Sequence, residues 1–467
     1  MNKKIGFKDI VRRGALLLLV IAISLTVVSC DSRVISKDDI SNNISESTDK
    51  NNKNYEYVAD YLHIWGIKNI DLEKMVYFEK VYRIYYGYKG GMPDTFEHAK
   101  KTAEAFLENY YDVIDLQNKT AVTDAILTCY SASFDDPYSI YRAPEKADEY
   151  NTDMSGKFGG IGVQVLVDSA NKIITVEGVF INSPADKEGL EAGDIIYAVD
   201  GKTVEEIGVT NVVNHMRGDV GTVVNIVVKR GEELLSFNLT RDVIVEVTVS
   251  HQILEGNVGY VRISTFKNTT YAQFVESIDA LEAAGVEGII FDVRMNGGGY
   301  VHTACDMISY LIPSGETIVS YQYANQLATV IKSEDDVHPT KTNEDGTPLV
   351  EDHVINVPII VLCDENTASS AEIFTSAIRD YRNAGILDAT LIGTTTYKKG
   401  IMQGTYAYRT DGSSVTFTVA YYNPPCGVNY HGVGITPDIE VLNSETEDLQ
   451  FAAAFDKIKE LINANNN

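Results

Sequence analysis

A chain of 467 residues, 44% of them hydrophobic, is too long for one ordinary core and too apolar to be disordered, so two to four packed domains are expected. With 39 basic residues against 66 acidic ones, the formal charge of −27 excludes the basic surface that nucleic-acid phosphates require. The acidity itself reads most simply as a solubility device.

At the N-terminus, Lys3, Lys4, Lys8, Arg12 and Arg13 form a positive head before an apolar stretch over residues 14–28. That stretch falls short of the roughly 20 residues a membrane span needs and reads as an export signal. It closes on Val27-Val28-Ser29-Cys30, which resembles the bacterial lipobox that precedes a lipidated cysteine. Residues 1–30 are therefore expected to be a lipoprotein signal peptide, Cys30 the lipidation site, and the polar run 31–54 a flexible tether. The protein is then expected on the extracytoplasmic face of a bacterial membrane, held by its N-terminal lipid. Cys129, Cys305, Cys363 and Cys426 show no CxxC spacing, and the sequence does not decide whether they pair. The eight histidines include no HExxH, so no metal or other cofactor is expected.

Residues 55–154 read as a tyrosine-rich helical region, with apolar residues near helical spacing over 71–86 and 95–115. Gly90-Gly91-Met92-Pro93 breaks that pair. The Tyr/Leu/Phe stripe reads as core or as a homodimer surface rather than a cofactor site. From 155 to 244 the pattern changes to short strands and turns. Phe158-Gly159-Gly160-Ile161-Gly162-Val163 is followed by Ser183-Pro184-Ala185, Ala192-Gly193-Asp194-Ile195-Ile196, the Asp200-Gly201 turn and a short helix over 209–216. This order resembles a PDZ domain. Such a domain captures a terminal carboxylate on the N–H groups of a glycine-rich loop while the peptide adds as a strand. The resemblance puts that loop at Gly159, Gly160, Ile161 and Gly162, with the groove between Val163-Gln164-Val165 and the helix near Val212. His215 on that helix reads as a surface or groove-lining residue. Residues 245–445 alternate strands (258–263, 288–291, 357–363) with helices (271–284, 301–311, 370–382), the signature of an α/β core. The polar run 332–352 reads as a surface insertion, and 446–467 as a C-terminal helix and tail.

The chemistry concentrates in three segments. Thr367-Ala368-Ser369-Ser370-Ala371-Glu372 follows a buried strand and opens a helix. Orphan N–H groups and the positive helix end converge there, a setting that stabilises an alkoxide or an oxyanion. A serine nucleophile needs a base, and no histidine sits in comparable surroundings, which leaves a lysine. Lys399-Gly400-Ile401-Met402-Gln403 lies downstream. The third segment, Asp292-Val293-Arg294-Met295-Asn296-Gly297-Gly298-Gly299, is a glycine turn whose amides could face a cavity; the amide of Ser370 offers a second donor.

In this order the segments resemble the C-terminal processing peptidases, or tail-specific proteases, over roughly residues 55–461. Gly432-Val433-Gly434-Ile435-Thr436-Pro437-Asp438 matches a further signature of that family. The resemblance implies a multidomain α+β protein: an α/β crotonase-like peptidase core, a helical N-terminal region and an inserted PDZ domain. By position it makes Ser369 the nucleophile, with Ser370 as its competitor, Lys399 the general base and Gln403 the residue that holds the lysine. Gly298 and the amide of Ser370 become the oxyanion hole, with Gly299 as the alternative donor. The implied partners are protein or peptide substrates with free C-termini. A lysine base must lose a charge that it normally keeps to a pKa near 10.4, so burial is required and no carboxylate is expected against the amine. Lys398 stands where the family usually has Gly, Ile401 where Thr is common, and Gly297 where Pro is frequent. These departures motivate an alternative, a catalytically inactive PDZ peptide-binding lipoprotein.

Overall fold

The computed structural model describes residues 54–88, 95–323, 329–343, 345–444 and 446–465. The signal segment, Cys30, the tether up to residue 53 and the Gly90–Pro93 breaker lie outside the described residues. Two compact units form: residues 150–247, and a second unit from the chain on either side of that insertion.

In the larger unit, six strands share one sheet in the order Val249–Leu254, Val258–Ile263, Gly288–Asp292, Ile359–Cys363, Ala389–Gly393, Ile439–Glu440. The first pair is antiparallel and every later pair parallel. Gly288–Asp292 and Ile359–Cys363 are buried at every position, because both faces of the sheet are covered. Phe291 and Val361 join the core beneath the helices Thr270–Ala283, Val301–Ser309 and Ser370–Asn383. Ile290, Ile360 and Leu362 point the other way, onto Ala454 and Ile458 of the C-terminal helix Leu449–Asn465. Phe374 anchors the helix Ser370–Asn383, its ring meeting that of Phe291 edge-on at 5.6 Å.

A second, five-stranded sheet is antiparallel throughout: Ile140–Arg142, Ser414–Asn423, Thr317–Tyr323 and Thr329–Lys332, with Ile401–Ala407 also paired to Ser414–Asn423. It corrects the expected crotonase-like core. The parallel sheet beneath the Ser369 helix and the antiparallel sheet that begins just after Lys399 are separate, and the latter recruits Ile140–Arg142 from before the inserted unit. A core drawn from residues 245–445 alone omits that strand. The second sheet was hidden because its strands bury polar residues. Thr405, Thr416 and Thr418 are all buried, Thr405 and Thr416 pair hydroxyls at 2.8 Å, and Arg142 donates to Thr416 at 2.6 Å.

The run expected to be a surface insertion forms the hairpin Asp336–Thr342/Pro348–Glu351. Its His338 is buried and bonds to Asp279 of the helix Thr270–Ala283 at 2.9 Å. The inserted unit has a six-stranded sheet around its own core of Ile174, Val176, Ile196, Ile226, Val228 and Leu239, plus the two-stranded pair Lys157–Gly160/Asp242–Val245.

Candidate active site

Ser369 is the residue before the helix Ser370–Asn383 and is fully buried. Its φ of +57° and ψ of −119° lie where L residues rarely go, so the turn is strained by its surroundings. Those surroundings are two interlocked loops. Ala368 N–H donates to the Asn296 carbonyl at 2.9 Å, Met295 N–H to Asp364 at 3.0 Å, and the Thr367 hydroxyl to the Val293 carbonyl at 2.9 Å. Behind them, Arg294 grips the buried carboxylate of Asp292 through Nε (3.0 Å) and Nη2 (2.7 Å), and Tyr260 donates to it at 2.7 Å.

The glycine turn presses directly on the serine. A Cβ on Gly298, whose φ is +104°, would lie 2.8 Å from the Cβ of Ser369 and 3.0 Å from the amide nitrogen of Ser370. One on Gly299 would fall 2.0 Å from the carbonyl oxygen of Phe266. The Gly298 amide donates to Oδ1 of Asn296 at 2.8 Å, so this candidate oxyanion donor is engaged within its own turn. The Ser370 hydroxyl donates to the Gly299 carbonyl at 2.7 Å.

Of the two adjacent lysines, Lys398 is exposed and Lys399 only 2% exposed. Lys398 has φ +82°, a left-handed conformation suited to glycine. The Lys399 amine lies 4.4 Å from the centre of the Tyr138 ring, a cation–π arrangement. The Tyr422 hydroxyl donates to the Lys399 carbonyl at 2.6 Å. The Gly432–Asp438 signature buttresses this loop: Gly432 N–H donates to the Lys398 carbonyl at 2.9 Å, and Ile435 N–H to the Thr396 hydroxyl at 2.8 Å. Gln403 is buried in the next strand and donates to the Thr418 hydroxyl at 3.4 Å; its Oε1 accepts from none of the described residues.

Sequence reasoning missed three residues at this site. Glu372, given no role from sequence, is buried and accepts four hydrogen bonds: Ser369 N–H (3.0 Å) and Lys399 N–H (2.8 Å) on Oε2, Thr396 Oγ1 (2.6 Å) and Lys398 N–H (2.8 Å) on Oε1. Burial raises its pKa and these four bonds act to lower it, with burial prevailing. The Ser-x-x-Glu spacing at a helix start was the available signal. Asp136 and Tyr138 had none, being far from the lysine in sequence. Asp136 accepts from Thr418 N–H (3.1 Å), the Thr418 hydroxyl (3.2 Å) and Tyr138 N–H (3.0 Å). Burial raises its pKa, while those bonds and the nearby Lys399 charge act to lower it. The Lys399 charge is thus within electrostatic reach of this carboxylate.

In the inserted unit, Gly159 and Gly162 have no room for side chains. A Cβ would lie 2.0 Å from the Gly218 carbonyl oxygen at the first, and 2.2 Å from the Ser183 Cβ at the second, where φ is +79°. The carbonyls of Ile161 and Gly162 accept from Ala185 and Phe180, but their amides donate to none of the described residues. Gly160 pairs with Asp242 across the two-stranded ladder. His215 is exposed, its Nδ1 3.0 Å from the Asn211 carbonyl.

Residues 257–441 match peptidase family S41, and residues 175–230 match the PDZ domain. Over 346 residues the chain is 32% identical to the carboxy-terminal processing protease CtpA of Bacillus subtilis, covering 74% of this chain and 68% of that one. A CtpA-like serine protease of Staphylococcus haemolyticus is 29% identical over 356 residues, covering 76% of this chain and 67% of the relative. Among solved structures, the photosystem II D1 C-terminal processing protease matches with 23% identity and a TM-score of 0.42, over 79% of this chain and 93% of that one. An S41 protease from Bacteroides fragilis matches with 17% identity and a TM-score of 0.47, over 83% and 95%. The chain belongs to the S41 family of C-terminal processing peptidases. It is a serine-type endopeptidase with a PDZ unit, and its core is S41-peptidase-like rather than crotonase-like.

Proposed function

We propose that Ser369 and Lys399 form the catalytic dyad and that protein C-terminal tails are the substrate. The observation that carries this reading is the carboxylate of Glu372, which ties the backbone of the strained serine to that of the buried lysine. The Ser370 hydroxyl is bonded to the Gly299 carbonyl, and the strained position before the helix is that of Ser369.

A tail's carboxylate docks on the amides of the Gly159–Gly162 loop. Lys399, neutral, takes the proton of the Ser369 hydroxyl as Oγ attacks the scissile carbonyl. The resulting anion is held by the Ser370 amide and by Gly298, once its amide turns from Asn296, or by Gly299. Collapse breaks the C–N bond, the ammonium of Lys399 protonates the leaving amine, and an acyl-enzyme remains. Water, giving a proton to Lys399, then attacks the ester; the acyl C–Oγ bond breaks, Lys399 returns that proton to Oγ, and the product leaves with a new carboxyl terminus. Gln403, with an open acceptor, serves to receive the amine during this cycle. The N-terminal signal and Cys30 point to an exported enzyme tethered by lipid to the outer face of a bacterial membrane, and the tyrosine-rich helices offer a homodimer surface.

The test is cleavage of an unfolded protein with an apolar C-terminus by wild type, Ser369→Ala and Lys399→Ala. Loss of cleavage in both variants supports the dyad. Equal, negligible cleavage by all three supports a binding protein without chemistry.

A further inference from the structure

Three observations converge on the turn that follows the helix Lys119–Ala132. The Tyr138 ring face covers the Lys399 amine at 4.4 Å. Asp136 binds the backbone and hydroxyl of Thr418, the residue that also takes the Gln403 amide, so the turn is pinned to the strand Ser414–Asn423. And Oε1 of Gln403, the acceptor assigned to the lysine by family resemblance, accepts from none of the described residues.

We infer that Tyr138 is a positioning residue for Lys399: its ring holds the amine at the serine, and the Asp136–Tyr138 turn thereby belongs to the peptidase site although it precedes the PDZ insertion. The inference rests on Lys399 being the base. An aromatic face suits this task better than a carboxylate. It attracts the ammonium enough to fix its place, yet its attraction is weak enough for the proton to leave. Tyr138 remains a neutral ring, because burial holds its hydroxyl proton far above the usual range and Tyr397 beside it acts in the same direction. Ionisable groups around the lysine among the described residues include Asp136 from the same turn, Glu372 on the backbone amide and Tyr422 on the carbonyl.

The experiment follows the pH dependence of kcat on β-casein for the full-length protein carrying Tyr138→Phe, Tyr138→Leu or Tyr138→Met, with Lys399→Ala as reference. Tyr138→Phe keeps the ring and is expected within about threefold of wild type, with an unchanged acid limb. Tyr138→Leu and Tyr138→Met should lose about tenfold or more in kcat at constant KM. Their acid limb should move about one pH unit lower, since the ammonium loses the ring's attraction. If the leucine variant does not fold, the methionine variant carries the comparison. An unmoved limb in the folded variants lacking the ring, with Lys399→Ala inactive, overturns this inference alone. An active Lys399→Ala overturns the dyad beneath it.

Discussion

The backbone amides of Ser369 and Lys399 donate to the same atom, Oε2 of Glu372, at 3.0 and 2.8 Å. Two loops far apart in sequence are thus fixed by one carboxylate, whose other oxygen takes Thr396 and Lys398. Glu372→Gln keeps the shape but offers one acceptor oxygen to four donors and turns an NH2 toward the rest. We expect kcat to fall about 10²-fold and stability to drop about 2–3 kcal/mol, measured by steady-state kinetics and thermal unfolding. Wild-type kinetics in this variant would remove Glu372 from the account.

Lys398 carries φ +82° and contributes its amide to Glu372. Lys398→Gly keeps that bond and relieves the left-handed strain, at some cost in unfolded-chain entropy. A net gain of about 0.5–1 kcal/mol is expected, with activity within a fewfold of wild type. Lys398→Ala, which keeps the strain, should show no such gain. Equal melting temperatures for the glycine and alanine variants would refute the strain argument.

Gly298 has no room for a methyl group against Ser369. Gly298→Ala should cost about 10²–10³ in kcat, the range associated with disturbing one oxyanion donor. Far-UV circular dichroism checks that the fold persists. An undiminished kcat would move the oxyanion donor away from this turn.

Asp336 is buried, its Oδ2 accepts from none of the described residues, and its pKa is raised to about 7 by burial first, then by Asp352, Asp306 and Glu351. The folded state therefore holds a proton that the unfolded chain releases near pH 4. That stabilising contribution is complete below pH ~4 and is lost as pH rises through about 7. Asp336→Asn, which cannot ionise, should be more stable than wild type at pH 8, by up to about 4 kcal/mol, and indistinguishable at pH 4. Unfolding midpoints at the two pH values decide it. A deficit at pH 8 would contradict the assignment.

The strand–turn–helix around Ser369 was legible because apolar runs, glycines and the helix start all follow local rules. The burial of Lys399 rather than Lys398 followed from family order, not from any property of the two residues. What stayed illegible depends on long-range packing. The strands Ile401–Ala407 and Ser414–Asn423 are rich in Thr, Ser and Tyr, and their burial is balanced by cross-strand bonds that no alternation pattern announces. The crotonase-like expectation failed for the same reason, since it treated the core as one α/β layer starting after the insertion. Tyr138 and Asp136 come to Lys399 through long-range ties, the pairing of Ile140–Arg142 with the second sheet and the bonds of Asp136 to Thr418.

The most direct measurement is covalent labelling with a fluorophosphonate, read by peptide mass spectrometry, on wild type and Lys399→Ala at neutral pH. The account predicts an adduct on Ser369 in the wild type and its loss when the lysine is removed. An adduct on Ser370, or labelling of Ser369 undiminished in Lys399→Ala, would contradict it.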